Sequence, residues 1–136
     1  MTNLELAKWY AAAVGVVLVI VGLLGFIDNP IVGDPAAANP VFHTGAVHNV
    51  VHIASGAALL FVAFGLTGAN LTSGLIVFGV AYGAVLVLAL ISPTMFGLFQ
   101  VSVNLADHVL HAALAVLSVA VGWLARSNPE QQAIGS

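Results

Sequence analysis

The chain has 136 residues, of which 61% are hydrophobic and only 5% are charged. A soluble domain carries about a quarter charged residues, so this composition excludes an ordinary soluble protein and predicts that the lipid bilayer is its solvent. A net charge of −3 with two basic residues, Lys8 and Arg126, excludes a nucleic-acid-binding surface. The absence of cysteine excludes disulfides, thiolate metal sites and a cysteine nucleophile.

Four apolar stretches each approach the ~20 residues that a helix needs to cross the hydrocarbon core. They predict spans at about 6–27, 47–66, 71–91 and 101–125. Residues 28–45, between the first two spans, are rich in Pro, Gly, Asp and Asn and predict an irregular loop, whereas residues 67–70 predict a tight turn. The sequence therefore predicts an all-α integral membrane four-helix bundle, formed as a single domain over residues 1–136.

Small residues and rare charges predict the packing and the orientation of these spans. Gly79 and Gly83 form a G-x-x-x-G pattern, and Gly15 and Gly22 share one stripe of the first span, which predicts close contact between helices.

Both basic residues lie near the chain ends beside aromatic residues, whereas the loop 28–45 contains no Lys or Arg. The positive-inside rule then predicts a multi-pass protein of the cell membrane with both termini cytoplasmic.

Polar side chains inside the spans are costly in hydrocarbon and are therefore informative. The second span opens with His48 and His52, and the fourth opens with Asp107 and His111. Each pair is four residues apart, so its members share one helix face. In a four-span topology the second and fourth spans run parallel from the outer side, which predicts that the two pairs meet in the outer leaflet.

Three histidines and one carboxylate form a plausible four-coordinate shell for a divalent transition metal such as zinc. The predicted ligands are His48, His52, Asp107 and His111, with Asn49, His108 and Asn104 behind them as partners that orient the ligands. A second ligation uses His52 and His111 as axial ligands of a haem, with the small residues Gly56 and Ala115 leaving room for the macrocycle. A chlorophyll-type pigment held by one histidine fits the same arrangement.

A structural interpretation stays open beside the cofactor hypotheses. Asn104 and Asp107 have the spacing of a capping box at a helix start. A hydrogen-bond network between histidine and aspartate would then fix the register of the bundle without any cofactor. Superimposing His52 on His111 also pairs His48 with Asp107, which predicts a duplicated helical hairpin.

Three segments together resemble a known family: Gly25-Phe26-Ile27, His48-Asn49-x-x-His52 with Gly56, and Asn104-x-x-Asp107-x-x-Leu110-His111. The chain is similar from about Ala11 to Leu124 to small bacterial and archaeal membrane proteins grouped as domain of unknown function four-three-eight-three. The resemblance implies four spans, one membrane domain and an unassigned function. An Asn commonly stands in that family where this chain has His108, which weakens the case for His108 as a metal ligand.

Two functions follow as hypotheses. One is a cofactor-binding membrane protein, and the other is a non-catalytic accessory or scaffold subunit of a larger membrane complex. The expected partners are membrane lipids and other membrane subunits, in a homo- or hetero-oligomer. An enzyme is disfavoured because no spare carboxylate within the spans is left as a general base, and a transporter because the chain offers few ionisable steps.

Overall fold

The computed structural model describes residues 1–98 and 100–127, and these residues form four long α-helices. The helices are α1 (Asn3–Leu24), α2 (Ala46–Gly65), α3 (Gly68–Ile91) and α4 (Leu105–Arg126). By length and composition all four can cross a membrane. The predicted integral membrane four-helix bundle is confirmed.

The connection between α1 and α2 is more ordered than the predicted irregular loop. Two short strands, β1 (Val32–Gly33) and β2 (Phe42–His43), pair in parallel within it. The Asn29 side chain organises the approach to β1, because its Nδ2 donates to the carbonyls of Leu24 and Val32 and its Oδ1 accepts from the Val32 N–H. One amide side chain therefore provides hydrogen-bond partners for several backbone groups between α1 and β1.

The starts of α3 and α4 differ from the predicted spans for local reasons. Helix α4 begins at Leu105 and not near residue 101, because Asn104 and Asp107 form a capping box. Asn104 Oδ1 accepts from the Asp107 N–H at 3.0 Å, and Asp107 Oδ2 accepts from the Asn104 N–H at 2.7 Å. Helix α3 already begins at Gly68, whose φ of 50° allows the sharp change of direction after α2.

Helices α1 and α2, and likewise α3 and α4, pack as antiparallel hairpins through small residues. An added Cβ on Gly15 in α1 would lie 2.9 Å from the Gly56 carbonyl in α2, and one on Gly79 in α3 would lie 2.8 Å from the Ala115 carbonyl in α4. The predicted close contacts at Gly15 and Gly79 are therefore present. Ala115 is the residue that the sequence repeat matches with Gly56, so both hairpins use equivalent positions for their closest approach.

The two hairpins join through side-chain hydrogen bonds and a core made of alanine, leucine and valine. Tyr10 of α1 and Ser118 of α4 are hydrogen-bonded at 2.9 Å, and Ser55 of α2 and Tyr82 of α3 at 2.8 Å. The helices alternate in direction, so α2 and α4 run parallel and begin at the same end of the bundle. The core is made of Ala7, Ala11, Ala12, Leu18, Leu59, Val62, Ala63, Leu71, Leu75 and Ala125.

Candidate metal centre

Three histidines from α2 and α4 lie together at the end of the bundle where both helices begin. The ring centroids of His48 and His52 are 4.4 Å apart, and those centroids lie 5.3 and 5.8 Å, respectively, from that of His111. Among the described residues these side chains form a group in which one ligand nitrogen from each lies within 4.8 Å of the others. The three histidines of the two predicted pairs therefore lie together, whereas Asp107 is not part of the group.

The hydrogen bonding of His48 determines which of its ring nitrogens is free. Its Nδ1 lies 2.8 Å from the Ser102 carbonyl oxygen. Since a carbonyl only accepts, Nδ1 carries the proton, and Nε2 of the neutral ring keeps its lone pair. A metal-binding histidine typically has this arrangement, in which the second ring nitrogen donates to a backbone carbonyl.

His52 is buried in α2 with one ring nitrogen unsatisfied. The residue is 5% exposed, and its Nδ1 has no hydrogen-bond partner in the described part of the chain. Leaving a buried polar atom unpaired costs about 1–3 kcal/mol. A ligand that coordinates or donates a hydrogen bond to His52 Nδ1 would remove this cost.

Asp107, the fourth predicted ligand, is buried at the cap of α4 beside the three histidines. Its Oδ2 accepts from the Asn104 N–H and, at 3.0 Å, from the N–H of His43 in β2. Asp107 lies outside the group of ligand atoms within 4.8 Å of one another. The carboxylate thus joins the α1–α2 connection to α4, and its role as a metal ligand stays a prediction.

The residues predicted to orient the ligands occupy different surroundings. Asn104 caps α4 and also donates from Nδ2 to the Val41 carbonyl at 2.8 Å. Asn49 is 2% exposed and its Oδ1 lies against Gly25, where an added Cβ would overlap it. The His108 Nδ1 is buried without a hydrogen-bond partner in the described residues, and this histidine is not one of the three in the cluster.

The small residues expected to leave room for a macrocycle serve helix packing. The face of Gly56 without a side chain meets α1, because an added Cβ would lie 2.6 Å from the Gly15 carbonyl and 2.8 Å from Val19. Ala115 is buried against Gly79 and Gly83 of α3. The expectation that Gly56 and Ala115 open space for a macrocycle is therefore not supported by these contacts.

The histidine cluster forms one wall of an apolar cavity of about 540 Å³. The cavity lies between α2, α3 and the connection from α3 to α4. Its other walls are mostly aliphatic and aromatic, and include Val51, Phe78, Val85, Phe96 and Val101. A metal held by the histidines would thus face a hydrophobic space.

Two residues that the sequence reasoning did not select also contact this wall. Ser55 donates to the His52 carbonyl at 3.2 Å and lies 2.8 Å from the Tyr82 hydroxyl. Since the serine proton is used on the carbonyl, Tyr82 donates to Ser55, and this bond holds the tyrosine ring 5.9 Å from His111. A buried tyrosine hydroxyl in the middle of a span needs a hydrogen-bond partner. The position of Tyr82 within the third span could therefore have predicted a polar contact between helices.

Comparison with known proteins identifies a family but not an activity. Searches of curated proteins and of solved structures gave no match. The family model described as "Domain of unknown function (DUF4383)" matches residues 8–124, which is most of the chain and includes all of α2 and α3 and most of α1 and α4. The protein is a member of the DUF4383 family, as the motifs around His48, His52 and His111 predict.

Proposed function

We propose that this protein binds a divalent transition metal such as zinc inside the membrane, with His48, His52 and His111 as ligands. The observation that carries the proposal is the convergence of three imidazoles from two helices, with ligand nitrogens within 4.8 Å of one another. Zinc–nitrogen bonds are about 2.0–2.1 Å long, so a metal between these rings requires only small side-chain rotations. Three protein ligands leave one position of a tetrahedral site open.

The same distances favour a metal ion over a tetrapyrrole clamped between His52 and His111. The three centroid separations put the His48 ring about 4 Å from the midpoint between the other two rings, close to the plane in which a macrocycle would lie. That position is inside the radius of a porphyrin. A haem or chlorophyll-type pigment would therefore displace His48, whereas a metal ion uses it as a ligand.

The accessory-subunit hypothesis with a purely structural network receives less support. That hypothesis expects Asp107 to hydrogen-bond an imidazole across the bundle, but the observed bonds of its Oδ2 run to the backbone of His43 and Asn104. It also expects buried ring nitrogens to be satisfied, whereas Nδ1 of His52 in the cluster and Nδ1 of His108 outside it have no partner among the described residues. Membership of a larger complex remains compatible with metal binding.

We further propose that the protein lies in the cell membrane with both termini cytoplasmic, which puts the histidine cluster in the outer leaflet. The α1–α2 connection contains Asp28 and Asp34 and no basic residue, whereas Lys8 and Arg126 lie at the opposite end of the bundle. Lys8 also approaches the rings of Trp9 and Phe64 at 5.8 and 5.6 Å. Aromatic rings are typical of both membrane interfaces, and the basic residue favours the cytoplasmic one.

The test is the metal content of the full chain purified without a polyhistidine tag. The wild type should contain about one zinc per chain after dialysis against micromolar zinc, measured by inductively coupled plasma mass spectrometry. His52→Ala should lose the metal, because two remaining imidazoles make an incomplete site. His43→Ala is the matched control, since this histidine lies outside the cluster. A folded wild type without metal, or equal loss in both variants, would overturn the proposal.

A further inference from the structure

We infer that the cavity beside the histidine cluster binds a long-chain fatty acid, with its carboxylate at the open position of the metal and its chain along the apolar walls. This inference rests on the metal-binding function proposed above and assigns the fourth ligand. It concerns the cavity of about 540 Å³ between α2, α3 and the α3–α4 connection. A metal ion at the histidines would not fill this cavity.

The polarity of the cavity matches an amphiphile with one small polar head. Its polar side chains are concentrated on one wall, where the three imidazoles lie beside the hydrogen-bonded pair of Ser55 and Tyr82. The remaining walls are apolar, and the volume is within the ~300–1,000 Å³ range of small-molecule sites. A head group therefore fits only at the histidines, and an alkyl chain fits the rest.

The charge of the site selects a monoanion for that head. A divalent metal on three neutral imidazoles brings two positive charges into a medium of low dielectric constant, where uncompensated charge is costly. Asp107, buried next to the cluster at the cap of α4, supplies one negative charge. One carboxylate at the open position neutralises the remainder, whereas a fatty alcohol leaves it uncompensated and a phosphate dianion exceeds it.

The side of the cavity offers a route from the bilayer. Val51 of α2 and Val85 of α3 both line the cavity and are 43% and 48% exposed. Ala81, one turn before Val85, lines the same opening and is also exposed. In a membrane these surfaces face acyl chains, so a single-chain lipid enters sideways without crossing water.

The experiment uses the full chain in detergent with cobalt as the metal, because the visible bands of cobalt report its ligands. Adding palmitate should shift these bands and add one palmitate per chain in native mass spectrometry. Hexadecanol, which has the chain without the carboxylate, and acetate, which has the carboxylate without the chain, should bind at least tenfold more weakly.

A pair of variants on α3 tests the position of the chain. Ala81→Phe fills the opening of the cavity and should weaken palmitate binding at least tenfold while cobalt binding is unchanged. Ala84→Phe is the control, because Ala84 is exposed on the same helix but does not line the cavity. Similar palmitate affinity in both variants would overturn the inference.

The outcomes separate this inference from the metal proposal. If cobalt does not bind, the proposed function fails. If cobalt binds but its bands ignore palmitate, or if palmitate binds equally well to metal-free protein, the fatty-acid inference fails and the metal site stands.

Discussion

A close contact between α1 and α2 yields a quantitative prediction at Gly56. Substituting Gly56→Ala adds a Cβ that would lie 2.6 Å from the Gly15 carbonyl oxygen and 2.8 Å from both the backbone nitrogen and Cγ2 of Val19. Two of these three atoms belong to the backbone of α1, so no rotamer change relieves the overlap. The helices must separate locally, and His52, one turn away on α2, moves with them.

The expected cost follows from two opposing contributions. Overpacking a well-packed contact typically costs about 1–3 kcal/mol, while replacing glycine by alanine inside a helix returns roughly 0.5–1 kcal/mol. We therefore expect Gly56→Ala to lower the free energy of unfolding by about 1 kcal/mol, the difference between the middle values of the two ranges. At Gly83 an added Cβ meets the Ala115 Cβ at 3.7 Å, which is an ordinary contact. Gly83→Ala should leave the free energy of unfolding unchanged or raise it by up to about 1 kcal/mol.

The assay is reversible unfolding of the purified protein in mixed micelles of increasing dodecyl sulfate fraction, followed by circular dichroism at 222 nm. Both substitutions are glycine to alanine inside a helix, so a general effect of alanine cancels between them. A Gly56→Ala protein as stable as wild type, or equal changes in the free energy of unfolding of both variants, would refute the predicted clash.

Three further predictions concern the cap, the junction between hairpins and the orientation. Asp107→Asn keeps an oxygen for the cap but removes the charge beside the cluster. Zinc affinity, measured by competition titration, should therefore fall about 10–100-fold. A loss of zinc as complete as in His52→Ala would instead make Asp107 a ligand. Tyr10→Phe removes the hydrogen bond to Ser118 and should cost about 0.5–1.5 kcal/mol in dodecyl sulfate unfolding, and no change would show that the bond is unimportant. Because the chain has no cysteine, a single introduced cysteine reports its own side of the membrane. Ala36→Cys should react with a membrane-impermeant maleimide in intact cells, and Ser127→Cys only after lysis. The opposite pattern would reverse the proposed orientation.

The number of helices and the meeting of the histidines were predictable because the bilayer limits the possible structures. Four apolar stretches of spanning length admit few arrangements, and an even number of spans makes the second and fourth parallel. Since His48 and His52 recur at helical spacing near the start of one span and His111 near the start of another, equal depth follows from the rise per residue. The sequence motifs also identified the family correctly.

The details that were missed depend on contacts between distant residues. The hydrogen bond from Asp107 to the His43 N–H joins the α1–α2 connection to α4, and no local pattern indicates it. The small size of Gly56 was compatible with space for a cofactor or with close packing, and only the position of α1 decides between them. The Asn29 side chain likewise acts through backbone groups whose arrangement depends on the fold of the whole connection.

The central claim is that three imidazoles bind one metal ion, and X-ray absorption at the zinc edge of the loaded full-length protein tests it directly. The account predicts three nitrogen neighbours at about 2.0–2.1 Å with the outer-shell scattering of imidazole rings, and one further light ligand. The His111→Ala protein treated in the same way should lose this signature. A spectrum without imidazole scattering, or one that is unchanged in His111→Ala, would contradict the account.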